Sequence, residues 1–202
     1  MRVGTIIILN GASSSGKTTL VKALQQRFEE PLLDAGLDRF LWMLPGRYLN
    51  CPLWDDVLGR AVAAGETGHR LVSGMHQAIA ALARSGNHVV ADHVLVEPAW
   101  VNHCARVLAG LPAYLIGVHC PLPVLEAREQ SRKDRTLGQA RAQFPLVHAH
   151  CIYDFEVDTD RASPAACAEA IHAYVTGGRP PRALDQLAAR GERGETSSAI
   201  GP

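Results

Sequence analysis

An α/β fold built on a parallel sheet is what this sequence predicts, and three observations carry the expectation. Apolar runs such as Ile6 to Leu9 and Ala113 to Val118 show no alternation with polar residues, the pattern of strands covered on both faces. Between such runs lie segments whose apolar residues recur at helical spacing, the rhythm of βαβ units. The stretch Thr5 to Leu20, TIIILNGASSSGKTTL, joins the first run to a glycine-bounded turn and then to a helical pattern. A single domain over residues 1–176 is expected, with five strands in the sheet and helices on both faces.

In chain order, Leu20, Val21, Leu24 and Phe28 mark the first helix, which Pro31 ends. A short strand around Leu32 and Leu33 leads to Asp38 and a brief helix carrying Phe40 and Leu41. Residues Pro45 to Gly68 hold prolines, glycines and Trp54, and are expected to form a loop with a short helix, a mobile substrate cover. Leu71, Val72, Met75, Ala78, Ile79 and Leu82 trace a helical face closed by Ser85 and Gly86. His88 to Ala91 read as a third strand ending in Asp92 and His93, and Pro98 opens the next helix. After the fourth strand, Ala113 to Val118, Pro121 starts a helix that gives way to SRKDRTLG, Ser131 to Gly138. A helix over Gln139 to His150, a fifth strand over Tyr153 to Val157 and a helix capped by Ser163 complete the domain. Residues 177–202 are rich in Gly, Pro, Arg and Ser and are expected to be a disordered tail, with at most a loose helical turn from Ala183 to Ala189.

The turn after the first strand is the phosphate-binding pattern G-x-x-x-x-G-K-[ST], in its proper setting of strand before and helix after. Gly11 and Gly16 can take backbone angles closed to other residues, so the amides of Ala12, Ser13, Ser14 and Ser15 can turn inward around phosphate oxygens. The following helix adds its positive end, with the amides of Thr18 and Thr19. Lys17 would carry its charge to the outer phosphates of ATP, and the Thr18 hydroxyl would ligate Mg²⁺.

Charge is balanced at 20 basic and 20 acidic residues among 202, with no basic block, which argues against nucleic acid or an anionic membrane as partner. No apolar run approaches the ~20 residues that span a bilayer, and the N-terminal run leads into the phosphate loop instead of a cleavage site. Cys51, Cys104, Cys120, Cys151 and Cys167 are odd in number and scattered, which suits reduced thiols in the cytoplasm. His148, His150 and Cys151 lie close together, but without a second ligand cluster they read as ordinary helix-end residues in preference to a zinc site. Oligomeric state is not legible.

In a parallel sheet, ligands bind beyond the carboxyl ends of the strands. Asp38 stands there either as a general base that readies an alcohol for phosphoryl transfer or as the N-cap of its short helix. Asp92, ending an apolar strand, suits a carboxylate near Mg²⁺ or its waters better than a loop cap. Glu97 is a weaker acidic candidate and reads as a solvated loop residue. Arg128, Arg132 and Arg135, spaced i, i+4 and i+7, could aim several guanidinium groups at one anion; following a fourth strand they read as a short lid more than as a solvated basic face.

With these residues in view, the chain resembles the chloramphenicol phosphotransferase-like family of P-loop kinases. The resembling segments are IILNGASSSGKTT, GLDRFLWMLP, RSGNHVVADHVL, LIGVHCPLPVLEAREQSRKDR and VHAHCIYDFEVDTD, spread from residue 6 to about 160. The resemblance implies a P-loop kinase fold and ATP-dependent phosphorylation of a hydroxyl on a small molecule, chloramphenicol or a related antibiotic leading. It implies Asp38 as catalytic base, Arg132 and Arg135 on the transferred phosphoryl, and Arg128 close to the nucleotide. Asp92 matches one member of an acidic pair whose second place is taken by His93, and Arg39 to Arg70 follows the family pattern poorly. A metabolic or sugar-nucleotide kinase with another acceptor is the alternative, as is a regulatory module that binds NTP without transfer. A guanine-specific switch is disfavoured, since no Asn-Lys pair occurs.

Overall fold

The computed structural model describes residues 2–46, 65–131 and 137–193. Its elements are β1 (Ile6–Asn10), α1 (Lys17–Gln25), β2 (Leu32–Asp34), α2 (Leu37–Leu41), α3 (Glu66–Arg84), β3 (His88–His93) and α4 (Pro98–Leu108), followed by β4 (Ala113–His119), α5 (Leu122–Gln130), α6 (Gln139–Gln143), β5 (Phe155–Asp158), α7 (Pro164–Thr176) and α8 (Ala183–Glu192). The strands form one sheet in the order β2-β3-β1-β4-β5. Every pairing is parallel, with Leu9 beside Asp92 and Asn10 beside both His93 and Gly117.

Side chains alternate across each strand, and the two faces of the sheet carry separate cores. Ile6, Ile8, Val89, Ala91 and Leu115 pack under α3, α4 and α8. Ile7, Leu9, Val90, Ile116 and Val118 pack under α1 and α7, whose Leu20, Leu24, Ala168 and Ile171 close that side. All five β1 residues are fully buried, which is why this strand reads as an unbroken apolar run until Asn10. Ser163 caps α7 as expected, its hydroxyl accepting the Ala166 N–H at 3.2 Å.

Three expectations are corrected. Helix α6 ends at Gln143 and the chain continues in turns to His150, because Pro145 bars further helix. The fifth strand starts at Phe155, two residues after Tyr153, whose side chain is drawn into hydrogen bonds with Asn10 and His148. Residues 183–192, expected to lie in a disordered tail, form α8 packed on α4. Ala183, Leu184 and Leu187 are buried on the packed side, and Asp154 accepts the Arg182 and Ala183 N–H groups at 2.7 and 3.0 Å while its other oxygen accepts Leu115 N–H from β4. Two leucines one turn apart suffice to seat a helix once α4 offers an apolar groove, and an alanine- and arginine-rich segment hides that pairing. The cover expected over Pro45 to Gly68 lies largely outside the described residues, as do Cys51, Arg132 and Arg135.

A buried histidine ladder joins β3 to the helices above it. His93 Nδ1 accepts the Val94 N–H at 2.8 Å, so its proton sits on Nε2 and points at His76 Nε2, 2.9 Å away. His76 Nδ1 then donates to His103 Nδ1 at 2.8 Å. One backbone amide therefore sets the tautomer of each ring in turn. Burial pushes His76 down to about 2 and His93 down to about 3.

Two measurements follow from this packing. Leu184→Ala is expected to cost about 2–4 kcal/mol in urea unfolding, where an open tail would register no change. Because His76 and His93 have native pKa values far below the ~6.5 of an unfolded chain, the unfolded state alone takes up their protons as pH falls through that window. Stability is therefore present above pH ~6.5 and is lost as pH falls below it. His76→Gln is expected to make that decline shallower by up to ~1.4 kcal/mol per pH unit, read from unfolding free energies at successive pH values; an unchanged slope would remove His76 from the account.

Candidate active site

Beyond Asn10 the chain turns through Gly11 to Thr18 at the centre of the sheet. Ser14 and Gly16 both adopt left-handed backbone, φ 64 and 88, with Gly16 serving as N-cap of α1. The Ser13, Ser14 and Ser15 hydroxyl oxygens are buried without a hydrogen-bond partner among the described residues, a concentration of unsatisfied polar groups that calls for a ligand. Lys17 is 8% exposed and curls over the loop, its Nζ donating to Gly11 O at 2.7 Å and Ala12 O at 2.8 Å.

The loop is held from outside. The Ser13 N–H donates to Gln143 Oε1 of α6 at 2.7 Å, and the Thr159 hydroxyl donates to Ser15 O at 2.8 Å. At its root, Asn10 is fully buried: Oδ1 accepts the Leu95 N–H at 2.8 Å, while Nδ2 donates to Val147 O at 2.7 Å and Tyr153 Oη at 2.8 Å. Gly117 makes room for this arrangement, since a side-chain carbon there would collide with the Tyr153 ring.

A cleft opens over the loop, lined by Ser13, Lys17 and Thr18 on one side, Leu37, Asp38, Asp92, His93 and Val94 on another, and Gln139 and Gln143 from α6. Asp38 does not cap α2. Gly36 occupies the N-cap with extended backbone, and Asp38 falls in the first turn, where a carboxylate is favoured by the helix dipole. Thr18 Oγ1 donates to Asp92 Oδ2 at 3.1 Å, so the two residues singled out for metal meet directly. Burial raises the Asp92 pKa, Lys17 opposes that rise, and Asp38 adds to it. The Asp92 carboxyl presses on the Gly36 backbone so closely that any side chain at residue 36 would strike it.

The residue after Asp92 has its ring committed elsewhere. His93 spends both ring nitrogens on Val94 and His76, so it takes the second acidic position of the pair without supplying a donor or acceptor beside Asp92. Glu97, expected in solvent, has a side chain only 14% exposed and lies 3.5 Å from His69. His148, His150 and Cys151 do not converge: His148 Nδ1 pairs with Tyr153 Oη at 2.6 Å, and Cys151 Sγ accepts a long 3.5 Å contact from Asn10. Burial pushes His148 down to about 4.

A second cleft lies behind the loop between Ser14, Gly16, Thr19, Leu20, Arg128, Ser131, Thr159 and Pro164. Arg128 Nη1 donates to Thr159 Oγ1 at 3.1 Å and Nη2 to Thr159 O at 2.9 Å, which fixes its guanidinium against the loop's rear wall. Arg128 thus stands apart from Asp38 and Asp92, on the opposite side of Gly16. Sequence reasoning missed Asn10, Gln139, Gln143 and a role for Thr159. A polar residue closing an otherwise apolar strand was the available signal for Asn10; Gln143 gave none, because its anchorage depends on a contact 130 residues away.

Residues 4–176 match the model of the chloramphenicol phosphotransferase-like protein family. A Mycobacterium tuberculosis (strain H37Rv) protein named "Putative O-phosphotransferase" is 32% identical over 203 residues, covering 94% of this chain and 90% of its own. Among solved structures, a sugar kinase from Janibacter sp. superposes with a TM-score of 0.64 at 16% identity, over 85% of this chain and 94% of that one. The Mycobacterium tuberculosis APS kinase in complex with AMPPNP and APS gives 0.61 at 14%, over 87% and 99%. At these identities the structural likeness speaks for the fold alone, which is that of the P-loop kinases. The family match covers most of the chain, and the chain belongs to the chloramphenicol phosphotransferase-like family.

Proposed function

We propose that this protein is an ATP-dependent O-phosphotransferase that phosphorylates a hydroxyl group of a small molecule, with chloramphenicol or a related antibiotic the first acceptor to test. The observation that carries the reading is that Lys17, Thr18, Asp38 and Asp92 line one cleft at the carboxyl ends of the strands. The three orphaned serine hydroxyls and the left-handed turns at Ser14 and Gly16 fit a phosphate tail, which would bring oxygens to those buried groups. Thr18 and Asp92 are hard oxygen donors at contact distance, the type that holds Mg²⁺. Bound there, Mg²⁺ would supply charge neutralisation to the phosphates.

In this reading Lys17 leaves the loop carbonyls to meet the outer phosphates, and Gly11 through Thr19 surround the tail. Arg128, Thr159 and Thr19 border the second cleft, suited to the nucleoside end of ATP. Asp38 orients the acceptor hydroxyl and takes its proton as the oxygen attacks phosphorus, with ADP leaving. Arg132 and Arg135, outside the described residues, would spread over the equatorial phosphoryl oxygens.

Two substitutions test the assignment in an assay of ADP release and phosphorylated product, with chloramphenicol and a panel of hydroxylated metabolites as acceptors. Asp38→Ala is expected to lower kcat by roughly 10²–10⁴-fold while ATP still binds; transfer at the wild-type rate would dismiss Asp38 as the base. Lys17→Ala is expected to abolish both tight nucleotide binding and turnover. A metabolite phosphorylated where chloramphenicol is not would keep the kinase and discard the drug.

A further inference from the structure

We propose that Gln143 reads the terminal phosphate of the nucleotide: its amide oxygen, which holds the Ser13 N–H in this structure, yields that N–H to a terminal phosphate oxygen, and the turned amide donates its own N–H to the same phosphoryl group. The inference rests on the phosphotransferase reading for the identity of the ligand, and deepens it by naming a further residue that touches the group to be transferred.

The loop residues divide between the two clefts, and the division sets a direction. Thr19 lines the rear cleft with Arg128 and Thr159, Ser14 and Gly16 line both clefts, and Ser13 lines the front cleft with Thr18, Asp38 and Asp92. A phosphate tail that enters from the nucleoside side at Thr19 and crosses the loop at Ser14 and Gly16 therefore ends at Ser13, in the cleft that holds Asp38. At that end the Ser13 N–H is already engaged. Gln143 Oε1 accepts it at 2.7 Å, and both residues are buried. A backbone N–H can only donate, so the atom facing Ser13 is the amide oxygen and the NH₂ group lies on the far side of the amide plane.

Two observations argue against a bond that only braces the fold. Helix α6 is already seated on α5: Glu129 accepts the Gly138 and Ala140 N–H groups at 2.8 and 2.9 Å, and Glu126 pairs with Arg141 at 2.7 Å. The bond also occupies a donor of the phosphate cradle, and an N–H aligned on one oxygen at that distance leaves no place for a second acceptor in line. Lys17 behaves alike, its Nζ lying on Gly11 O and Ala12 O in this structure and on the outer phosphates in the proposed reading. The two side chains thus serve the loop's own polar groups from inside the cleft, a cation on its carbonyls and an amide oxygen on its N–H. A phosphate oxygen arriving at Ser13 would meet the Gln143 oxygen as like against like. Turning the amide end for end about its last torsion, a broad and soft coordinate, replaces that repulsion with an N–H donated to a charged acceptor, the stronger kind of hydrogen bond.

The test titrates the full chain calorimetrically with AMPPNP and with ADP, each with Mg²⁺, as wild type, Gln143→Leu and Gln143→Glu. Gln143→Leu is expected to weaken AMPPNP by about tenfold or more, the loss of a hydrogen bond to a charged acceptor, and ADP by no more than about twofold, because a diphosphate ends short of Ser13. Gln143→Glu can still accept the Ser13 N–H but cannot donate, and is expected to weaken AMPPNP at least as much as Gln143→Leu. A bond that merely props the loop gives the opposite pattern: Glu restores what Leu loses, or ADP and AMPPNP weaken together, and either result overturns the proposal. A second measurement needs no substitution. The Ser13 amide proton resonance of the wild-type protein is expected to differ between its ADP and AMPPNP complexes, and coincidence of the two would overturn the proposal even if both variants failed to fold. Loss of AMPPNP affinity in the variants as expected, with no acceptor taking phosphate from ATP, would remove the phosphotransferase reading and leave Gln143 in its role. No binding of AMPPNP by the wild type would remove both.

Discussion

The two-sided pairing of β1 is the constraint on which the site depends. Flanked by β3 and β4 and wholly buried, it can neither slide nor tilt without breaking two ladders at once. A slip of one residue would exchange the Ile6, Ile8 face with the Ile7, Leu9 face and bury both sets against the wrong helices. That register delivers Asn10 to the sheet's edge beside His93 and Gly117, and brings Asp92 level with Leu9, from where its carboxylate reaches Thr18 at the start of α1. The meeting of Thr18 and Asp92 is a consequence of strand order before it is a feature of any ligand.

A second level of organisation stiffens the loop from below and behind. Asn10 exchanges hydrogen bonds with the loop after β3, the turn after α6 and Tyr153 ahead of β5, so one buried amide joins segments far apart in the chain. Thr159 performs a similar service for Ser15 and Arg128. Satisfied buried networks of this kind favour a single arrangement, because each missing partner would leave a desolvated group uncompensated. Among the described residues the buried unsatisfied groups are concentrated where the ligand is proposed, the three serine hydroxyls of the loop.

The sheet, the phosphate loop and the candidates at the strand ends were legible because their signals are local. An apolar run, a Gly-x-x-x-x-Gly-Lys-Thr spacing and a proline at a helix start each express physics within a few residues. What escaped depends on distant partners. That Asp38 is not the cap of its helix could be learned only by knowing that Gly36 takes the N-cap of α2. His93 read as a departure from an acidic pair, and only the packing of α3 and α4 shows that its nitrogens belong to a ladder within the core. Helix α8 was expected as no more than a loose turn because its two leucines look sparse until α4 is beside them.

That last helix has a practical side. The family match stops at residue 176, and a shortened version of the protein cut at that boundary would look reasonable on paper. It would strip the lid from Leu108 and Ala105, strand the Asp154 carboxylate without two of its three backbone donors, and open a greasy flank on α4. An affinity handle or fluorescent fusion at this end is therefore best joined beyond residue 193, where the described chain has finished covering its own core.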